Sequence, residues 1–470
     1  MRAQEAPARI LRSTGAAAVS QLWRVGVTFG VQLILRRTIP PEDYGLWDWT
    51  FAVFMILGAV RDLGLPAHVL RLKNRPFGNL LWVECVWGGA LAAGAFFGAP
   101  VLALLFREAD PRLVPVIQAM AAFIVLEGLG QVALVYFEGE LAIGRSLLPE
   151  VLRNLSFALV AFALAQLGYG VWSLVLGQLA ASAVFAATLW IRAWGKIPLV
   201  WERGRSLAMM VESLPLGSVW LVMLAMRHVD PLILGARFEA GVVGSYGFAY
   251  WVAFLVATLL IHPIGRALYP ALVRLDQQSL QPFQAYRLAT LLLLAVEVPA
   301  ALFLFLNADL VSLLLGGERW VTSPEFLRIL CFAPLFDPLG RFAGQFLAAR
   351  HQEKVWVSAG LLTLVSWAVA GFALTGWLGP EGMAWANYLP LGAALTAWAI
   401  YRIDPTACRR LVGELAHLYL IPVPFFAAAA LVPAGAPRFI ASAVAALLAF
   451  GVYYRRFGGS FRAFFGGGGA

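Results

Sequence analysis

Tyr44-Gly45-Leu46-Trp47-Asp48-Trp49, twenty residues after Arg24, returns as Tyr246-Gly247-Phe248-Ala249-Tyr250-Trp251, nineteen residues after Arg227. Two further pairs keep the register. Leu104-Leu105-Phe106-Arg107-Glu108 answers to Leu314-Leu315-Gly316-Gly317-Glu318, and Leu167-Gly168-Tyr169-Gly170-Val171-Trp172 to Leu378-Gly379-Pro380-Glu381-Gly382-Met383-Ala384-Trp385. All offsets fall between about 202 and 212 residues, so the chain reads as a duplication. In a chain this apolar, repeated halves point to a transporter whose substrate site lies near the bilayer midplane, between the repeats.

Hydrophobic residues make up 61% of the 470 residues and charged residues 13%, with a mean hydropathy of +0.78. Water-soluble domains carry roughly 25% charged residues. Apolar stretches long enough to cross the hydrocarbon as helices recur from Gly15 to Tyr454, and about fourteen spans are expected. They include 15 to 35, 208 to 236, 242 to 268 and 325 to 349. The turn signals Gly168-Tyr169-Gly170 and Gly379-Pro380 divide 147 to 167 from 170 to 191, and 355 to 377 from 381 to 401. The expected fold is an all-α polytopic membrane protein of two six-helix lobes related by pseudo-two-fold symmetry, plus two C-terminal helices. An N-lobe over 1–195, a cytoplasmic linker over 196–207, a C-lobe over 208–402, two extra spans over 403–456 and a cytoplasmic tail over 457–470 follow from this division. Each lobe has an even number of spans, which places the symmetry axis along the membrane normal.

The net charge is +9, from 35 Lys and Arg against 26 Asp and Glu. In a soluble protein that excess would suggest nucleic acid; here its distribution matters more. Arg71, Lys73, Arg75, Lys196, Arg203, Arg205, Arg409 and Arg410 all fall on alternate loops. The positive-inside rule then places both termini in the cytoplasm, and no nucleic-acid partner is expected. Met1 to Thr14 reads as the lead into a retained first span rather than a removed signal peptide. Cys85, Cys331 and Cys408 give neither a disulfide framework nor a metal spacing, and no cofactor is expected. Connecting loops are too short for a soluble catalytic domain.

Ionisable residues inside apolar spans are the functional pointers, because an unpaired charge there costs at least about 2.5 kcal/mol. Arg227 and Asp230, three apart, can meet on one helix face, as can Asp337 and Arg341, four apart. Arg24 has no acidic residue within two turns. Its partner is Glu127, or Glu297, or a phosphate of bound substrate, which a guanidinium grips bidentately. Arg227 is its counterpart in the second repeat. Arg61, beside Asp62, and Arg266 either join them as diphosphate ligands or snorkel to headgroups. Glu84, Glu127, Glu297 and Asp230 are the candidates for ion coupling, against a structural role as hydrogen-bonded carboxyls between helices. Trp23, Trp47 and Trp49 offer flat rings for sugars, although aromatic residues also gather at membrane interfaces.

The stretch Pro41-Glu42-Asp43-Tyr44-Gly45-Leu46 leads to Asp62-Leu63-Gly64-Leu65. The later Val229-Asp230-Pro231-Leu232-Ile233-Leu234-Gly235 leads to Gly244-Ser245-Tyr246-Gly247. With Leu167 to Val175, Leu313 to Trp320 and Leu327-Arg328-Ile329-Leu330, this order resembles the polysaccharide flippases of the multidrug/oligosaccharidyl-lipid/polysaccharide exporter superfamily over nearly the whole chain. The resemblance implies a V-shaped pair of six-helix lobes that moves a polyprenyl-diphosphate-linked oligosaccharide from inner to outer leaflet by ion-coupled alternating access. It implies no bond chemistry, and engagement of the lipid-linked diphosphate by Arg24 and Arg227. Expected surroundings are the bacterial inner membrane, membrane lipids, and the polymerase and glycosyltransferases of O-antigen, capsule or exopolysaccharide synthesis. The competing readings are a multidrug or cation antiporter of the same superfamily, with acidic residues dominating its cavity, and a polytopic glycosyltransferase using Glu42 and Asp43.

Overall fold

A lipid environment offers no partner to a bare peptide group, so an apolar chain must satisfy its own backbone, and a helix does so locally. The computed structural model describes residues 26, 29–140, 142, 145–277, 282–336 and 338–465; among them the regular structure is helical, with no strand. Nine helical stretches among the described residues are long and apolar enough to cross a membrane, or up to eleven if two bent pairs each form one span. The chain is therefore a multi-pass membrane protein. Most of the expected first span, Arg24 included, lies outside the described residues.

Two compact units are present: Met1–Leu224 with Gly235–Gly241, and Ala225–Leu234 with Val242–Ala470. The first contains α1 (29–38), α2 (Pro41–Asp62), α3 (Leu65–Arg71), α4 (Phe77–Phe97), α5 (Ala99–Ala103), α6 (Leu113–Gly139), α7 (Leu147–Gln166) and α8 (Val171–Ala193). α9 (Arg203–Gly235) begins in it and contributes Ala225–Leu234 to the second. Prolines and glycines fix where these helices start and stop. Pro41 opens α2 at a position whose N–H would be unpaired anyway. Leu63 and Gly64 both adopt left-handed backbone angles, φ 48° and 75°, and turn α2 into α3. Gly168 and Gly170, at φ 80° and 54°, separate α7 from α8 where the turn signal predicts it. A side chain at Gly170 would strike the Asp43 carboxylate, its Cβ 2.2 Å from Oδ2. The core of this unit lies among α3, α4, α6 and α8, with Leu80, Val132, Phe137, Phe185 and Leu189 buried.

The second unit continues with α10 (Ala240–Ala253), α11 (Leu255–Gln277), α12 (Pro282–Leu306), α13 (Ala308–Gly316), α14 (Ser323–Leu330), α15 (Ala343–Ala349), α16 (Glu353–Leu378), α17 (Glu381–Ala386), α18 (Leu391–Ile403), α19 (Pro405–Leu420), α20 (Val423–Ala430) and α21 (Ala436–Phe465). Leu268, Tyr286, Leu294, Phe346, Leu418 and Tyr453 belong to its core. Gly379, at φ 72°, ends α16 as the turn signal predicts.

Two expected spans are interrupted. The stretch 325 to 349 breaks into α14, a 3-10 turn at Ala333–Phe336, a π turn at Pro338–Phe342 and α15. Pro334 and Pro338 lack the N–H that a continuous α-helix would use. The stretch 381 to 401 divides into α17 and α18, with Pro390 as the N-cap of the second. The expected 242 to 268 span bends by 45° between α10 and α11. Outward-facing apolar side chains, such as Leu159 on α7 and Phe372 and Trp377 on α16, suit lipid as their solvent.

Candidate functional site

Five helices of the first unit bring its intramembrane charges together. Arg61 sits in the last turn of α2, and Trp87 of α4 pins that turn by donating to the Val60 carbonyl at 3.2 Å. Arg61 Nε lies 3.1 Å from Glu84 Oε2 on α4, and its Nη1 donates to the Ile124 carbonyl of α6 at 3.0 Å. Both side chains are almost fully enclosed, at 8% and 1% exposure. Space for them comes from two glycines. A Cβ at Gly128 of α6 would lie 2.7 Å from Glu84 Oε2, and one at Gly88 of α4 would lie 3.4 Å from Arg61 Cδ.

One residue from Gly128, Glu127 meets a second arginine. Arg153 of α7 donates through Nη2 to Oε1 at 2.7 Å and through Nη1 to Oε2 at 3.3 Å, the two-pronged geometry that suits a guanidinium to a carboxylate. Ser182 of α8 donates to the same Oε1 at 2.6 Å. The Arg153 guanidinium also lies over the Phe185 ring, 5.0 Å from its centroid. This pair is more open than the first, with Arg153 at 29% and Glu127 at 18% exposure.

Arg61, Asp62, Glu127, Arg153, Asn154 and Gln178 contribute polar groups to a cavity of about 510 Å³ within this unit. Its apolar wall includes Trp47, Phe51, Phe54, Phe123, Phe157 and Trp220. Trp47 and Phe51 stack with centroids 4.9 Å apart. The volume lies in the range of cavities that hold small organic ligands. The lining has two guanidinium groups, two carboxylates, three carboxamides and flat rings, so its formal charges balance.

The structure thus brings Arg61 and Glu127, both singled out in the sequence, to the lining of one cavity, with Glu84 paired to Arg61 behind it. Glu127, one of three candidate partners of Arg24, is paired instead within the described residues, while Arg24 itself lies outside them. Arg153, from a neighbouring helix, takes the carboxylate that sequence reasoning offered to Arg24. Arg153 escaped notice because it lies only six residues into α7, where it reads as an end-of-span cation. The signal was available: a guanidinium more than a turn inside an apolar span needs a partner. Among the described residues the expected Arg227–Asp230 ion pair is not formed. Asp230 is buried and Arg227 exposed, so the two side chains leave α9 toward different surroundings. Asp230 Oδ2 instead accepts from Tyr246 Oη at 2.5 Å, while Asn387 Nδ2 donates to Tyr246 Oη at 3.1 Å. Glu297 is buried within α12, two residues before Pro299. The side chain of Arg266, together with Arg24 and Asp337, lies outside the described residues.

One member of the acidic pair of the glycosyltransferase reading is committed elsewhere. Asp43 Oδ1 accepts from Arg112 Nη1 at 2.5 Å and packs against Gly170, while Glu42 lies against Gly241. Arg112 also holds Asp110, and this hydrogen bonding keeps the Asp110 carboxyl below the usual carboxylate range.

Known proteins resemble the chain over most of its length. It is 24% identical over 355 residues to the lipopolysaccharide biosynthesis protein WzxC of Escherichia coli (strain K12), covering 72% of this chain and 70% of that protein. It is 22% identical over 407 residues to the succinoglycan biosynthesis transport protein ExoT of Rhizobium meliloti (strain 1021), covering 84% and 81%. A solved structure of the lipid II flippase MurJ in an inward closed conformation shares the fold, with a TM-score of 0.75 at 12% identity over 93% of this chain and 98% of that one. The sequence profile of the family described as "Polysaccharide biosynthesis protein" matches residues 34–325, more than half of the chain, which therefore belongs to that family.

Proposed function

We propose that the protein translocates a polyprenyl-diphosphate-linked oligosaccharide from the inner to the outer leaflet of the bacterial inner membrane, for O-antigen, capsule or exopolysaccharide synthesis. Its relatives are named for lipopolysaccharide biosynthesis and succinoglycan transport, which supports this substrate class. The observation that carries the reading is the Arg153–Glu127 pair on an aromatic-walled cavity inside an apolar bundle. A diphosphate presents the oxygens that a guanidinium grips two at a time, and aromatic rings suit the faces of sugars.

Of the two cavity arginines, Arg153 is the one a ligand can reach. Arg61 is enclosed and spends its guanidinium on Glu84 and a backbone carbonyl. When phosphate replaces Glu127 on Arg153, the freed carboxylate requires a cation in that low-dielectric setting, and a proton or sodium ion supplies it. Substrate entry and ion entry are thereby linked at one residue. Asp230, held by Tyr246 and Asn387 with no cation beside it among the described residues, is the second coupling carboxyl in this scheme. Lobes of six spans, 1–195 and 208–402, would alternate access between leaflets, with both termini cytoplasmic and with Arg24 and Arg227 meeting the diphosphate. The polymerase and glycosyltransferases of the same pathway are the expected protein partners.

The test is movement of such a lipid across reconstituted vesicles, scored by access of the glycan to an added lectin. Arg153→Ala, folded by its melting curve, is expected to abolish movement, and Arg153→Lys to restore part of it. Full movement by the alanine variant would remove Arg153 from the substrate site. Export of organic cations by wild-type protein that moves no glycolipid would establish the antiporter reading instead.

A further inference from the structure

We infer that the second unit holds an anionic phospholipid in a groove between α16 and α18. A cavity of about 530 Å³ lies there, bounded by the first turns of α16 and the last turns of α18. Its polar rim consists of Lys354, Arg402, Gln352 and Ser358. Its walls are apolar, among them Val355, Leu395, Ala399 and Ile403, and no carboxylate lines it. Among the described residues neither Lys354 nor Arg402 enters an ion pair, whereas the neighbouring Arg350 is paired with Asp276 at 2.9 Å. The Arg402 guanidinium lies over the exposed Trp398 ring, 4.9 Å from its centroid, which orients it without neutralising it.

These features select one occupant. Two unneutralised cations fit a phosphodiester, and basic pockets between transmembrane helices near the cytoplasmic surface suit anionic headgroups. A free phosphate would make no use of the apolar wall or the indole. The long apolar face of α16, of which only 17% of the most apolar window is buried, continues from the groove as a track for acyl chains. This end of the bundle also carries Arg350, Arg409 and Arg410, so it lies toward the cytoplasmic leaflet by the positive-inside rule. Phosphatidylglycerol of that leaflet is the occupant, and its binding does not depend on glycolipid transport.

Native mass spectrometry of the detergent-solubilised full chain, titrated with phosphatidylglycerol or phosphatidylcholine, tests this. Wild-type protein should retain phosphatidylglycerol about tenfold more tightly, the scale expected of two cations near a phosphate. Lys354→Gln with Arg402→Gln should bring the two lipids within about twofold. Arg409→Gln with Arg410→Gln, outside the groove, should leave the preference intact. Leu395→Trp fills the apolar wall while sparing both cations, and should also weaken phosphatidylglycerol if the charge variant fails to fold. A preference that survives the groove variants, or is lost equally in the Arg409/Arg410 variant, overturns the assignment. Displacement of the lipid by millimolar inorganic phosphate would show a site for the free anion and overturn it as well.

Discussion

Two sites, one in each unit, bury charge in opposite ways. In the first, Arg61–Glu84 and Arg153–Glu127 are ion pairs set around a hollow. In the second, Asp230 is buried among Tyr246 and Asn387, a phenol and an amide, with no cation among its partners in the described residues. An ion pair in a low dielectric is held by its own Coulomb attraction, and a member that loses its partner needs another charge in its place. A carboxyl among neutral donors can gain or lose a cation with its hydrogen bonds largely intact. The first arrangement therefore suits selection of a charged substrate, and the second suits an ion that comes and goes. Within the first unit the same contrast recurs at finer scale, between an enclosed pair and an accessible one.

Removing one member of the enclosed pair should have the largest effect. Glu84→Ala leaves the Arg61 guanidinium buried with a single backbone acceptor, and a cost of about 3–5 kcal/mol is expected, read as a lower melting temperature in detergent. Arg61→Met with Glu84→Met should recover most of that loss, since burying no charge is cheaper than burying half a pair. If the single variant melts like wild type, the pair is not the structural element described here. If the double variant folds but moves no glycolipid, Arg61 belongs to the substrate site after all.

Packing gives the next test. A methyl group at Gly128 would sit 2.7 Å from Glu84 Oε2, so Gly128→Ala should cost about 1–3 kcal/mol. Gly89→Ala on α4, where a Cβ meets nothing within 4 Å, is the control and should not lower the melting temperature. Equal melting of the two variants would mean that the glycine does not make room for the pair.

The sequence made the helical spans and the glycine turns readable because both follow from local rules: apolar length, and backbone angles that only glycine adopts at little cost. The breaks at Pro334 and Pro338 were as local, yet the apolar run across them hid the prolines' effect. The charges were harder. Glu127 was visible as a carboxylate in mid-span, but its partner is set by how α6, α7 and α8 pack, which no spacing along one helix reveals. The Arg227–Asp230 spacing permitted an ion pair, and burial of Asp230 against α10 and Asn387 decided otherwise.

For the second unit, Asp230→Asn should be mild in stability, about 1 kcal/mol, because an amide keeps an acceptor for Tyr246. The informative reading is transport against an imposed ion gradient. Coupling at Asp230 predicts that the variant still moves glycolipid at equilibrium but no longer responds to the gradient. A gradient response that persists would transfer the coupling role to Glu127, and with it the distinction between the two units would fail.

The smallest effect concerns charges at the surface, where water competes. The loop between α5 and α6 presents Asp110 to Arg112, which also reaches Asp43 of α2. Its hydrogen bonds hold the Asp110 carboxyl below the ordinary value, so the folded state binds the proton less readily than the unfolded chain does. The stabilisation is thus complete above the unfolded value, near pH 4, and fades as pH falls through the lower folded value. Being partly exposed, the pair contributes under about 1 kcal/mol. Melting curves of wild type and Asp110→Asn should differ by a constant amount from neutral pH down to about pH 5 and converge below about pH 4. A difference that grows on acidification would reverse the sign and would mean that the loop is held by the protonated carboxyl. Convergence would show that the Arg112 clamp is held by the ionised form of the Asp110 carboxyl and is released when that carboxyl takes up its proton.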